Sequence, residues 1–253
     1  MIPAALYGPP QHTGVADFRR MLDTLGVDRA VLVQPSAYGT DNRAMLDAVA
    51  AEPARLRGIA VVPFDVDART LERLHESGVR GVRCNIVDLK SGAGRLPRDE
   101  LVALAHRVKP FGWHIELLLH VDEFPNLDRE FADFPVAVSF GHLGYAPAAS
   151  GTQSAGFRAL LRLARDGKAW VKLTGPYRLT GQELPYAEVE PFAHALAEAA
   201  PGRLLWGSDW PHVMVKSAMP NDGELLDLLA AWIPDEALRR RVLVDNPAAL
   251  YDF

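Results

Sequence analysis

Short runs rich in Val, Ile and Leu alternate along the chain with longer segments whose apolar residues recur every three or four positions. The runs predict seven strands, at Arg29–Ser36, Arg57–Pro63, Gly78–Ile86, His114–His120, Val136–Leu143, Ala169–Gly175 and Arg203–Trp210. Each is too short for a solvent-facing helix and apolar enough to be buried on both faces, as strands of a parallel sheet are. Between them the spacing predicts helices over Val15–Leu25, Asn42–Ala51, Thr70–Ser77, Asp99–Lys109, Gly156–Ala164, Glu188–Ala199 and Gly223–Ala231. Leu101, Leu104, Ala105 and Val108 form one such helical stripe. Thr70 before Leu71 and Asp99 before Leu101 read as helix starts.

Seven β-then-α units, undivided by a Gly/Ser linker or a charge block, predict one domain over residues 1–253. Its class is α/β, and the repeat points to a (β/α) TIM-type barrel. A doubly wound dinucleotide-binding sheet needs a glycine-rich turn after its first strand, and the QPSAYGTDN that follows Val33 supplies none. A closed barrel takes eight strands, so the expectation is seven recognisable strands with the first one missing or replaced.

Composition narrows the function classes. Of 253 residues 49% are hydrophobic and 23% charged, which excludes a disordered or fibrous chain. Twenty-seven basic residues against thirty-two acidic ones leave a net charge of −5, with no general attraction to nucleic acid or an anionic membrane. Cys84 is the only cysteine, so no internal disulfide framework or Cys-rich zinc module exists. No apolar run approaches the ~20 residues of a membrane span, and the N-terminus lacks a basic-then-apolar leader. A soluble, cytoplasmic protein is the expectation.

In a barrel of this kind chemistry sits at the C-terminal ends of the strands. Asp209 ends LLWGSD, and the following Trp210-Pro211 stops the strand there. A carboxylate in that position suits a general base or a hard-metal ligand, against a helix cap or an ion-pair partner. His142 sits between Gly141 and Leu143-Gly144, where glycines let backbone or ligand approach closely. His120 closes HIELLLH and shares a strand face with Glu116 and Leu118. A buried Glu116 must be paired or protonated. Arg83, of the same parity as Gly81 and Asn85, reads as an anion clamp or as a structural ion pair. Tyr38, Tyr177 and Arg178 lie on strand-end loops as candidate substrate contacts. Cys84 alternates to the opposite face from Arg83, and nothing marks it as a nucleophile.

Six ordered segments, VLVQPSAYGTDNRAMLDAV, GVRGVRCN, GHLG, KLTGPYRL, LLWGSDWPH and LVDNPAALY, carry a resemblance. Together they resemble the amidohydrolase-related TIM-barrel hydrolases, in the branch of 2-pyrone-4,6-dicarboxylate lactonase and 4-sulfomuconolactone hydrolase. The likeness runs from about Tyr7 to the C-terminus. It implies that Asp209 activates the hydrolytic water, that His142 polarises the scissile carbonyl, and that Arg83 and Arg178 contact substrate carboxylates. In metal-dependent relatives the position of His120 is a ligand, which would act with Asp209. The implied partner is a small carboxylated lactone or cyclic ester of aromatic catabolism.

The chain departs from the family pattern in three places. It contains no His-x-His, the pair that ends the family's first strand. Tyr145 stands where the lactonase has a further arginine after its GHxG-type segment, and Leu89, beside Lys90, where it has a basic residue. A thinner carboxylate clamp follows, so the dicarboxylate pyrone itself is not the expected substrate. The leading expectation requires no cofactor, since zinc without the His-x-His pair lacks its usual three ligands. A metal-dependent amidohydrolase or decarboxylase, and a catalytically silent barrel acting as a binding module, are the other two readings. The open edge left by the first strand would be filled by Ile2–Tyr7 or by a second copy of the chain in a homo-oligomer.

Overall fold

A computed structural model describes residues 13–87, 95–215 and 218–253. The expectation about Ile2–Tyr7 lies outside these residues, as do Leu89 and Lys90. The chain divides into two compact units. The first runs to Leu117 and takes in Phe134–Val136 and Phe253, and the second holds Leu118–Asp133 and Ala137–Asp252.

The first unit holds β1 (Ala30–Val33), β2 (Leu56–Ala60), β3 (Val79–Asn85) and all but the last residue of β4 (His114–Leu118), which follow one another in space as in sequence. β1 and β2 run parallel with Ala30 opposite Leu56, and β2 and β3 run parallel with a register shift at Gly58/Ile59. β2 and β4 are buried along nearly their whole length, as two-sided coverage by helices requires, whereas β1 is only half-buried throughout. The helix Val15–Leu25 sends Leu22 into a cluster with Val49 and Leu56, and Phe18, Met21 and Leu32 pack around it. Gln34 is fully buried and donates its amide to the carbonyls of Gly39 and Asp41. Asn42 exchanges hydrogen bonds with the backbone of Val61. These two amides tie down the loop that follows β1, because a buried polar side chain must find partners.

In the second unit β5 (Val138–Phe140), β6 (Ala169–Leu173) and β7 (Leu204–Trp206) are parallel neighbours, with Val138 opposite Ala169 and Val171 opposite Leu204. The helix Ala155–Arg165 buries Phe157, Leu160 and Leu163, and Phe157 meets Phe192 edge to face at 4.7 Å. The buried amide of Asn246, from the NPAALY segment, donates to the carbonyls of Pro201 and Leu204 and so pins the last helix beside β7. Both units repeat the parallel strand and covering helix of a TIM-type (β/α) architecture. No helix among the described residues is long and apolar enough to cross a membrane.

All seven strand positions agree with the apolar pattern, but the strands are shorter than predicted, with three to seven residues each. His120, His142 and Asp209 therefore stand beyond their strands, in turns, rather than on the last rung. Helix starts also differ. Asp67, not Thr70, caps the helix Ala68–Glu76, accepting from the Thr70 N–H at 2.9 Å and the Thr70 hydroxyl at 2.8 Å. Pro97 precedes Arg98–Val108, with Asp99 inside its first turn. The short helices Leu127–Glu130, Glu236–Arg240 and Asn246–Tyr251 were not predicted, being too brief for a periodic signal.

Gly156 shows where packing overrides propensity. Alanine is ordinarily the better helix residue by about 1 kcal/mol. A Cβ on Gly156, however, would lie 1.8 Å from the carbonyl oxygen of Val121. Gly156→Ala is expected to destabilise the protein by about 3 kcal/mol in urea unfolding. Gly202→Ala, where a Cβ meets nothing within 4 Å, should be close to neutral in the same measurement.

Candidate active site

The second unit gathers its polar side chains on the segments that follow β5, β6 and β7. These segments bend sharply. Of the eight non-glycine residues with positive φ among the described residues, seven lie here: His142, Leu143, Tyr145, Tyr186, Asp209, His212 and Met214. Left-handed backbone costs about 1–2 kcal/mol for such residues, and it persists only where surrounding contacts demand it. The turns convert each apolar strand into a support for one inward-facing polar group.

Asp209 is the hub. Its Oδ2 accepts from the Tyr177 hydroxyl at 2.7 Å and from Arg178 Nε at 2.7 Å. Its Oδ1 has no hydrogen bond among the described residues and lies 3.9 Å from His142 Nε2. The side chain is 22% exposed and Arg178 is 12% exposed, so the pair is mostly withdrawn from solvent. Burial alone would push the Asp209 carboxyl up. The charges of His142 and Arg178, with the hydrogen bonds from Tyr177 and Arg178, outweigh it and hold the carboxyl below its ordinary value. Burial and the adjacent Asp209 charge push the Tyr177 phenol well up, so it remains a neutral donor. Burial would lower Arg178, but the Asp209 carboxylate more than compensates and raises it. Arg178 Nη2 also donates to the Val213 carbonyl, which fixes the guanidinium against the loop after β7.

His142 is steered by Thr174, whose Oγ1 accepts the His142 backbone N–H at 3.2 Å and stands 2.9 Å from Nδ1. His120 Nδ1 lies 3.0 Å from the Tyr145 carbonyl oxygen. A carbonyl only accepts, so His120 carries a proton on Nδ1. The Tyr145 ring meets His120 edge to face at 4.6 Å and His142 at 5.2 Å. Gly175, at φ 55°, allows the whole arrangement, since a Cβ there would stand 2.8 Å from His142 Nδ1 and 3.2 Å from Asp209 Oδ2.

In the first unit Arg83 Nη1 donates to the Gln34 carbonyl at 3.0 Å, while its buried Nε has no hydrogen-bond partner among the described residues. Asn85 donates to Ser36 Oγ at 2.7 Å. Tyr38 is 42% exposed on the 3-10 turn Ser36–Tyr38. Cys84 is buried, and burial pushes its thiol up to about 12, far from a reactive thiolate.

The structure thus brings together Asp209, His142, Tyr177 and Arg178. The last two, expected as substrate contacts, bond the Asp209 carboxylate. Thr174, Gly175 and His212 were inside the strand-end segments without being singled out, because their partners lie some thirty residues away in sequence. The metal expectation for His120 with Asp209 does not fit. No three His, Cys, Asp or Glu side chains among the described residues form a metal-binding group.

Parallel strands with acid–base side chains on the turns that follow them define a (β/α) enzyme of the TIM type. The chain belongs to the amidohydrolase family, whose model matches residues 1–253. It is 37% identical over 251 residues to the 2-pyrone-4,6-dicarboxylate hydrolase of Comamonas testosteroni, spanning 96% of this chain and 82% of that protein. It is 38% identical over 248 residues to the 4-sulfomuconolactone hydrolase of Rhizobium radiobacter, spanning 97% and 82%. Among solved structures, a probable 2-pyrone-4,6-dicarboxylic acid hydrolase of Acinetobacter baumannii with citric acid bound superposes with a TM-score of 0.86. The two are 28% identical, over 98% of this chain and 92% of the other.

Two outcomes follow from the geometry. Gly175→Ala is expected to lower turnover about 100-fold by displacing His142 from Asp209, read by steady-state kinetics on the folded variant. The second concerns acid. Asp209 titrates lower folded than unfolded, so its contribution to stability is complete above the unfolded value and drains away as pH falls through the folded one. Arg178→Gln removes a cation from Oδ2, raises the folded value and narrows that window. Its acid-unfolding midpoint, followed by circular dichroism, should move to higher pH.

Proposed function

We propose that the protein hydrolyses a lactone that bears a carboxylate, of the kind formed in aromatic-ring catabolism. The observation that carries the reading is the unequal use of Asp209, with Oδ2 tied by two donors and Oδ1 left open 3.9 Å from His142 Nε2. A water hydrogen-bonded to Oδ1 gives its proton to the carboxylate as its oxygen attacks the lactone carbonyl. With its Nδ1 held by the Thr174 hydroxyl, His142 presents Nε2–H to the carbonyl oxygen and stabilises the charge that develops there. The ring C–O bond then breaks, and the departing oxygen takes the proton back from Asp209. The product is an open-chain acid with one more carboxylate than the substrate.

Arg83 and Tyr38 are assigned to substrate binding. The unpartnered, buried Nε of Arg83 supports that assignment, because a guanidinium edge left unsatisfied is suited to an incoming carboxylate. The names of the Comamonas and Rhizobium relatives, both hydrolases of carboxylated or sulfonated ring compounds, support the substrate class. Citric acid in the Acinetobacter protein supports an anionic ligand.

A panel of carboxylated muconolactones and pyrones tests the reading. Asp209→Asn should reduce kcat by about 1,000-fold or more on whichever lactone the wild type opens, and unchanged turnover would sink the base assignment. Arg83→Met should act mainly on KM, raising it about tenfold to a hundredfold for carboxylated members.

A further inference from the structure

The reaction proposed above leaves the buried imidazole of His212 unused. His212 is 4% exposed, with Nδ1 3.0 Å from the Tyr177 hydroxyl oxygen and Nε2 3.0 Å from Asp222 Oδ1. Its backbone N–H also donates to the Asp209 carbonyl. Tyr177 has a single proton, and its 2.7 Å bond to Asp209 Oδ2 takes it, since an ionised carboxylate can only accept. The phenol oxygen therefore meets His212 with a lone pair, so Nδ1 must be the N–H. On the other side, Nε2 and Asp222 Oδ1 stand 3.0 Å apart, both shut off from solvent, and neither has a hydrogen-bond partner among the described residues. Two unprotonated acceptor atoms at that distance repel each other. One proton between them removes the conflict, whichever atom carries it. Asp222 opens the helix Asp222–Trp232, where unpaired backbone N–H groups favour a negative side chain.

We propose that Asp222, His212 and Tyr177 form a positioning chain that fixes the direction of the phenol hydrogen bond on Asp209 Oδ2 and so keeps Oδ1 aimed at the reacting water. His212 and Asp222 act through Tyr177 and touch no substrate. The inference rests on the reading of Asp209 as the base, but its first test needs no activity. In the 15N-labelled wild-type protein at neutral pH, imidazole NMR should find His212 protonated at Nδ1. A bare Nδ1 would mean that Tyr177 donates to His212 rather than to Asp209, and would overturn the chain.

Kinetics supply the second test. His212→Ala should lower kcat about tenfold to a hundredfold with KM changed less than about twofold. His212→Asn, whose side-chain amide can stand in for Nδ1–H, should restore most of that loss. Equal losses in the Ala and Asn variants, with both melting like the wild type, would show His212 to be packing alone. Should the Ala variant not fold, Asp222→Asn replaces it: a wild-type kcat there overturns the chain, and a lowered kcat with unchanged KM upholds it. If no lactone in the panel is opened, the hydrolase reading fails while the NMR result still decides the hydrogen-bond chain.

Discussion

A carboxylate that stays ionised while mostly withdrawn from water has to be matched by donors, and Asp209 imposes that requirement on the loops around it. Breaking one member of a buried ion pair typically costs 3–5 kcal/mol, so the partners of Asp209 are not free to drift. Tyr177 and Arg178 come from the turn after β6 and close on its Oδ2. Arg178 then reaches the Val213 carbonyl, and the His212 N–H returns to the Asp209 carbonyl. The left-handed residues of these turns belong to the same demand, since ordinary backbone would carry the carboxylate and the imidazoles away from one another.

Much of this was legible in the amino-acid order. Alternating runs of β-branched residues and helical stripes located each of the seven strands among the described residues, because burial on both faces leaves a strong signal in a short segment. Asp209 and His142 stood out because ionisable groups at the ends of apolar strands have few structural uses. What the pattern could not carry was pairing at a distance. Thr174 orients a histidine 32 residues away, and Tyr177 bonds a carboxylate 32 residues on. No local periodicity encodes such a link. Arg178 was expected to contact a substrate carboxylate, and its bond to Asp209, 31 residues on, leaves no trace in its own neighbourhood. Asp67 was passed over as a cap in favour of Thr70, although the two residues bond each other and only one of them lies outside the helix.

The absence of a His-x-His pair gives particular weight to the few imidazoles that remain near Asp209. His142 and His120 share one aromatic neighbour, the Tyr145 ring, and His120 is further held by the Tyr145 backbone carbonyl. Tyr145 itself sits in left-handed backbone, after Gly144, whose Cβ would strike Leu160. The orientation of two histidines is thus written into one five-residue turn.

In water the two oxygens of a carboxylate are interchangeable. Here the fold makes them different atoms, one a fastened strut and the other a bare acceptor. Under the hydrolase reading this asymmetry has a stereochemical consequence. A water activated by a single fixed oxygen arrives from one direction only, so the two faces of a planar lactone carbonyl are no longer equivalent. A ring with a stereocentre would then be accepted in one handedness and turned away in the other, a choice made by the base before any pocket wall is consulted.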